Sequence, residues 1–511
     1  MAEGLEDCAV DRKGHSKMSR FAWLSISILL FCGAGFLLSL NGCGGGKGTS
    51  TFTAPPPPSS SKIQHVVIIF QENRTPDNLF QGLCAANGGV PGCGTNAAQY
   101  DIASSGVNSQ GVTIPLSPID LGTNGSDPDN YDLSHAHSAF VSMCHLNTST
   151  GVCAMDGADL IKPACGPGVS NCWPANPQFK SVNPADVQPY LTMAGQYTFA
   201  DRMFQTNQGP SFPAHQFIIS GTSAPAVGSP LFVAENPSGT GTGASAGCIA
   251  SPTETVGVID ATGSESSNPP IYPCFEHKTL TDLLEAANVS WRYYSPSAGS
   301  IWTGPNAIQH MCGPNAAPPN GTACTGSDWV NNVVLATAQN PAPVLTDIAN
   351  SQLAAVSWVI PTGLESDHAL SNDGSGPSWV SSVVNAIGNS SYWSNTAIFI
   401  VWDDWGGWYD HVPPQILNSY QYGFRVPMIV MSPYAKAAYV SHVTHDFGSI
   451  LKFIEENFDL PTLGYADVPA DDLSDCFNFN QTPISFHHIA APLQADYFMN
   501  DRRLPTDPDD D

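Results

Sequence analysis

Four oxygen-bearing side chains stand in two similar settings. An apolar run, AIFIVW at 397–402, ends in the adjacent carboxylates Asp403 and Asp404 and then in Gly406 and Gly407. A second run, HVVIIF at 65–70, is followed by Gln71, Glu72, Asn73 and Arg74. Neighbouring acids repel unless a proton or cation holds them together. Glu72, Asn73, Asp403 and Asp404 would supply four hard oxygen donors, a set suited to one divalent cation such as Ca²⁺, Mg²⁺ or Zn²⁺. Each pair taken alone reads as a polar turn or helix cap. Ser211 sits between two prolines in QGPSFP at 208–213, ahead of a helical stretch over 214–219. A hydroxyl there is either an N-cap or a nucleophile whose phosphorylated form the helix N-terminus favours. His135, His137 and His145 fall close together, and His368 follows Glu365 and Asp367 beyond another apolar run, AVSWVI at 355–360.

These residues need elements that bring them together. The apolar runs at 63–70, 355–360 and 397–402 read as buried strands of a parallel sheet. Further strands are expected at 289–294 and 425–431. Helices are expected at 191–204, 279–288, 345–353, 379–387 and 444–458, the last with Phe447, Ile450, Leu451, Ile454 and Phe458 on one face. The stretch 224–270, rich in Gly, Ser, Thr and Pro, reads as an irregular insertion. Strands alternating with helices, with polar residues beyond the strand ends, give an α/β sandwich whose sheet is largely parallel. In such sheets ligands bind outside the carboxyl ends of the strands.

The chain before residue 63 reads differently. Residues 1–20 are polar and end in Arg12, Lys13, Lys17 and Arg20; 21–40 are apolar and uncharged; Leu40-Asn41-Gly42-Cys43 follows. That order is an export signal over 1–43 with a lipobox-like end. A lipidated Cys43, an uncleaved signal anchor and plain secretion all follow from it, and all place the rest outside the cytoplasm. Residues 44–62 form a Gly/Pro/Ser-rich tether. Residues 63–500 are the expected catalytic domain, and 501–511 an acidic tail.

The net charge is −27 with 17 basic residues. Such a surface repels nucleic acid and anionic lipid headgroups, which leaves the N-terminal lipid or signal anchor as the only membrane attachment. No protein partner is implied. Of 14 cysteines, ten fall into neighbouring groups in loop-like sequence: Cys84 with Cys93, Cys144 with Cys153, Cys165 with Cys172, Cys248 with Cys274, and Cys312 with Cys324. Export makes disulfides the natural reading, although spacing does not fix connectivity. Cys476 is left over. No Cys/His set at zinc-ligand spacing occurs.

The stretches HVVIIFQENRTPDNLF at 65–80, DLSHAH at 132–137, MDG at 155–157, FADRMF and GPSFP within 199–213, SWVIP and DH within 357–368, IFIVWDDWGGWYDHVPP at 398–414 and RVPMIVMSPYAKAAYVSHVTHDFGSILKFIE at 425–455 together resemble a family. It is the bacterial phosphoesterases that include acid phosphatase A and the phosphocholine-type phospholipases C. The resemblance covers most of 63–460 in the family's order. It implies an alkaline-phosphatase-like three-layer sandwich with loop-rich, disulfide-bearing insertions, acting on phosphate esters. It implies that Glu72, Asn73, Asp403 and Asp404 hold one divalent metal ion, that Ser211 is the nucleophile, and that His135 and His368 are active-site histidines. His135 is favoured over His137 because it directly follows Asp-Leu-Ser. His411 is expected to brace its loop. Thr75-Pro76-Asp77-Asn78 replaces the family's usual Ser-Phe-Asp-His, so no histidine acts there. Ser211 with Asp403–Asp404 is closer to the acid phosphatase branch, whereas the phospholipase branch usually has Thr and Asp-Glu. The expectation is therefore an acid-phosphatase-like phosphomonoesterase, with a phospholipase C as the alternative. A non-catalytic exported binding module is the rival from another class.

Overall fold

The computed structural model describes residues 61–84, 100–122, 131–166, 168–240 and 244–506. The export signal, nearly all of the tether, the Cys84–Cys93 pairing and the end of the acidic tail lie outside the described residues. Eight strands make the central sheet: β1 (His65–Gln71), β2 (Thr198–Ala200), β3 (Trp291–Ser295), β4 (Val333–Leu335), β5 (Val356–Val359), β6 (Thr396–Trp402), β7 (Met428–Met431) and β8 (Tyr439–Ser441). Their order is β4-β3-β5-β1-β6-β7-β2-β8. All pairings are parallel except the two that β7 makes, with β6 and with β2. The expected α/β sandwich with a largely parallel sheet is therefore present.

The five helices used below are α1 (His137–Cys144), α2 (Gln188–Gln196), α3 (Ser211–Ser220), α4 (Gly376–Gly388) and α5 (Phe447–Asn457). Strand register shows which face each helix covers. Ile68 of β1 lies opposite both Trp358 of β5 and Phe399 of β6, and side chains two apart share a face. On that face Phe70 meets Phe447 of α5 edge-on at 5.3 Å. There too the Trp358 indole N–H donates to Ile218 O of α3 at 3.2 Å, and Phe399 meets Phe453 of α5 at 5.2 Å. Trp402, three positions after Phe399, points to the other face and meets Tyr190 of α2 at 5.1 Å; α4 packs against α2 there. Two helical layers thus enclose β1 and β6, whose apolar residues from Val66 and Ala397 onward are fully buried.

Three expectations change. Residues 191–204 are not one helix: α2 stops at Gln196 and β2 begins at Thr198. The sheet edge recruits Thr198 and Phe199, whose side chains suit a strand. Residues 425–431 become strand only from Met428, because Pro427 has no N–H for the ladder and Arg425 is committed to buried ion pairs. The 224–270 insertion contains a three-stranded sheet of Phe232–Val233, Val256–Ile259 and Glu265–Ile271. Its last strand is exposed nearly throughout and carries Pro269 and Pro270, so no alternation betrays it. Disulfides join Cys144 to Cys153, Cys165 to Cys172, Cys248 to Cys274 and Cys312 to Cys324, and Cys476 is a free, buried thiol.

Phe399 fills the layer between β6 and α5. Phe399→Ala is expected to cost about 3–5 kcal/mol, read as a lower denaturant midpoint at unchanged slope.

Candidate active site

The in-register pairing of β1 with β6, from His65 opposite Thr396 to Gln71 opposite Trp402, delivers the next residues of both strands to one place. Asp403 N–H donates to Gln71 O at 2.8 Å and Arg74 N–H to Asp404 O at 3.0 Å. Between them Asn73 N–H donates to Asp403 Oδ1 at 2.9 Å. Asn73 holds a left-handed backbone, φ 61°, as do Gly406 and Gly407. A Cβ on Gly406 would collide with Asn73, and one on Gly407 with Leu133. The two glycines thus let the loop after β6 lie directly on the loop after β1 and on the segment that carries His135.

Ser211 is the first residue of α3, and Pro210 occupies the N-cap position. The serine is therefore not the cap of its own helix. Its Oγ–H donates to Asp404 Oδ2 at 3.2 Å. Gln205 couples the two loops: its Oε1 accepts Trp405 N–H at 3.1 Å, while its Nε2 donates to Asn207 O at 2.8 Å and Gly209 O at 3.1 Å. Phe212 N–H donates to Asn236 Oδ1 at 2.9 Å, which turns the Asn236 amide nitrogen into a buried donor with no partner.

The histidines divide sharply. His135 Nδ1 donates to Leu133 O at 2.9 Å, so Nε2 carries the lone pair; it lies 3.3 Å from Asn73 Nδ2 and 3.9 Å from Asp404 Oδ2. His368 Nδ1 faces Ala369 O, and its ring lies 5.9 Å from that of His135. His137 instead pairs with Glu265 at 3.0 Å, and His145 pairs with Asp156 near the surface. His411 bridges Asp77 at 2.7 Å and Asp101 at 3.0 Å. Beside it Arg425 grips Asp410 with two bonds of 2.9 Å and reaches Asp77 at 3.3 Å. His411 is thus a brace under the loop, and Arg425 fills the space among these acids.

Gln205, Asn236 and His215 were not singled out in the sequence, and the last matters most. His215, one turn after Ser211 on the same face of α3, has its Nε2 3.4 Å from Glu72 Oε1. The Tyr293 hydroxyl donates to Trp302 O, so it accepts from His215 Nδ1 at 3.3 Å. Nε2 is then an acceptor without a donor, and burial holds the imidazole neutral, with its pKa lowered to about 4. Glu72 Oε1 and Oε2, Asn73 Oδ1, Asp403 Oδ2 and His215 Nε2 are all buried with no hydrogen-bond partner. One ligand atom each from Glu72, His215 and Asp403 lies within 4.8 Å of the others. Burial, and after it the nearby Asp403, raises the pKa of both Glu72 and Asp404. Buried acceptors in such numbers lack a positive partner, and a divalent cation fits the donor set. The Ser211-x-x-x-His215 spacing was the available signal, but a histidine in an apolar helix carries no mark of what it faces.

The family model described as Phosphoesterase family matches residues 63–461. The chain belongs to the phosphoesterase family. That family is one of hydrolases acting on phosphoric ester bonds. This phosphoesterase-family chain is 25% identical to the non-hemolytic phospholipase C of Pseudomonas aeruginosa over 482 residues, which is 85% of this chain and 60% of that enzyme. It is also 25% identical to phospholipase C A of Mycobacterium tuberculosis, over 90% of this chain and 87% of that one. The chain therefore spans less than two thirds of the Pseudomonas relative. A solved structure of a protein in the alkaline phosphatase superfamily from Vibrio parahaemolyticus aligns at 10% identity and a TM-score of 0.30, over 55% of this chain and 63% of that one.

Two outcomes follow from this geometry. His215→Ala is expected to weaken divalent-metal binding at least about tenfold, read by calorimetric titration of the metal-free protein; unchanged affinity removes His215 from the ligand set. His411 has its pKa moved against the downward pull of burial, by hydrogen bonds to Asp101 and Asp77, up to about 10 from 6.5. Its stabilisation is full below pH 6.5 and is lost as pH rises through about 10. The stability gap between wild type and His411→Asn should therefore shrink over that window in urea titrations.

Proposed function

We propose that this chain is an exported, metal-dependent phosphoesterase that works through a phosphoserine at Ser211. The observation that carries the reading is the Ser211 hydroxyl on Asp404, beside buried acceptors of Glu72, Asn73, Asp403 and His215 that have no donor. When bound there by Glu72, Asn73, Asp403, Asp404 and His215, a divalent ion supplies Lewis-acid polarisation of the phosphoryl group and lowers the pKa of the serine hydroxyl. The imidazole of His215 favours Zn²⁺ over Ca²⁺ or Mg²⁺.

The protein groups have separable tasks. Ser211 Oγ attacks phosphorus in line, forming the Oγ–P bond as the P–O bond to the leaving alcohol breaks. The hydroxyl proton leaves along the 3.2 Å bond to Asp404 Oδ2, and His135 Nε2 stands 3.9 Å beyond. His135, with the ring of His368 alongside, returns a proton to the departing alcohol. Water, losing a proton to His135, then attacks the phosphorus; the P–Oγ bond breaks, the phosphate or its remaining monoester leaves, and Oγ takes back a proton. Asn236 Nδ2, held by its bond to Phe212 N–H, is a donor suited to the charge that grows on the phosphoryl oxygens.

For the substrate we favour a phosphodiester with a lipid-type leaving alcohol, because the relatives are phospholipases C. The second reading, a phosphomonoester, rests on Ser211 with the Asp403–Asp404 pair. The export signal read at 1–43 supports a reaction outside the cytoplasm.

The test is hydrolysis of p-nitrophenyl phosphorylcholine and p-nitrophenyl phosphate by the metal-supplemented full chain, between about pH 4 and 8. Ser211→Ala should lower kcat by about three orders of magnitude or more with an unchanged circular dichroism spectrum. Retained turnover would remove Ser211 as nucleophile. Faster cleavage of the monoester would replace the phospholipase reading, and no cleavage of either ester would favour a binding module.

A further inference from the structure

The family match ends at residue 461, but the chain continues and returns to the sheet. Residues 471–476, DDLSDC, lie against the end of β8 and the residues just before α5. There the free thiol of Cys476 is fully buried, as is the side chain of His445. Cys476 Sγ stands 3.5 Å from Asp475 Oδ1 and 4.0 Å from His445 Nε2, and Nε2 is 3.4 Å from Asp475 Oδ1. The three ligand atoms form one small triangle of thiol, imidazole and carboxylate.

The size of that triangle is informative. Zinc bonds of about 2.0 Å to N or O and about 2.3 Å to S, set tetrahedrally, put neighbouring ligand atoms about 3.3–3.5 Å apart. Two sides of the triangle already have that length, and the third closes with a shift of about 0.5 Å by the thiol. The other ring nitrogen is also prepared. His445 Nδ1 lies 2.9 Å from Asp471 Oδ1, outside hydrogen-bond geometry; a small rotation of the ring makes this the carboxylate–imidazole pair that orients a metal-binding histidine. Ser441 Oγ, 2.9 Å from Nε2, donates to Asp475 Oδ2 at 2.5 Å and so spans two of the three groups. The Cys476 thiol donates to Asp475 Oδ1 at 3.5 Å, so the proton that a dication would replace lies inside the triangle. The backbone of Cys476 is fixed besides: its carbonyl accepts from Lys436 N–H at 3.0 Å and Thr198 Oγ1 at 3.2 Å.

We propose that His445, Asp475 and Cys476 form a second metal site, for a zinc-class divalent ion, with Asp471 orienting the histidine. Neutral imidazole, thiolate and carboxylate bring two negative charges to a dication, and binding releases the thiol proton. The site has no part in ester hydrolysis. It staples the segment after residue 461 to β8, the edge strand of the sheet, as structural zinc does elsewhere. It uses none of the residues assigned to the active site, so it stands or falls independently of the phosphoesterase reading.

Cobalt(II) is the probe, because a cobalt–thiolate bond gives a near-ultraviolet charge-transfer band that oxygen and nitrogen ligands do not. The metal-free full chain is titrated with Co²⁺ and then with Zn²⁺, beside Cys476→Ser, His445→Gln and His215→Ala. The expected result is a thiolate band in wild type and His215→Ala that Zn²⁺ displaces, with loss of the band and of one bound ion per chain in Cys476→Ser and His445→Gln. Chelation should lower the melting temperature of His215→Ala by more than that of Cys476→Ser/His215→Ala. Absence of the band in wild type at saturating Co²⁺, or its persistence in Cys476→Ser, overturns the proposal.

Discussion

The molecule is arranged around carboxylates that have been taken out of water. Glu72, Asp403 and Asp404 are fully buried at the adjoining ends of the two central strands, and several of their oxygens receive no hydrogen bond. Burying one such charge without a partner costs several kcal/mol, and burying three together costs more, because each raises the potential felt by the others. The cost is tolerable only if a cation or protons share the site. The same tension makes the site useful. A dication held by acids in a water-poor setting still carries a strong field toward a phosphoryl oxygen.

Such a cluster holds its shape only if its loops cannot relax outward. Behind the site, Arg425, Asp410, Asp77, His411 and Asp101 form a second, nearly balanced charge network that is filled from within by protein groups. The contrast between the two clusters is informative. Around Arg425 the acids have hydrogen-bonded cations, whereas around Glu72 acceptor oxygens are left over. Gln205 and the two glycines perform the mechanical part: the amide ties the Asp404 loop to the Ser211 loop, and Gly406 and Gly407 let three chain segments touch. Ser211, the proposed nucleophile, is thereby held by the first turn of a helix and not by a mobile loop, which favours positional precision.

Much of the fold was legible because β1, β5 and β6 are mostly apolar, β-branched and aromatic runs that read as buried strands. The polar residues just past their ends were legible as a site for the same reason. Where the reading failed, tertiary contacts overrode local pattern. The sheet edge took Thr198 to Ala200 out of a helical stretch, and Glu265–Ile271 became a strand on pairing alone, with little apolar burial to announce it. The four described bridges join cysteines that neighbour each other in sequence, a connectivity that spacing had left open.

The sequence by itself determined the class of chemistry. Adjacent acids after a buried strand, an acid–amide pair after another, and a serine opening a helix limit the choices to few reactions, because residue type sets charge, hardness and nucleophilicity. Only the tertiary structure decided which groups meet. His135 reaches Asp404 while His137, two residues on, turns away to Glu265. His215 joins Glu72 across 143 positions of chain, and His445 meets Cys476 across 31. A ligand set is a property of distances of a few ångströms, and those are fixed by strand register, helix placement and glycine-permitted contacts between segments far apart in sequence.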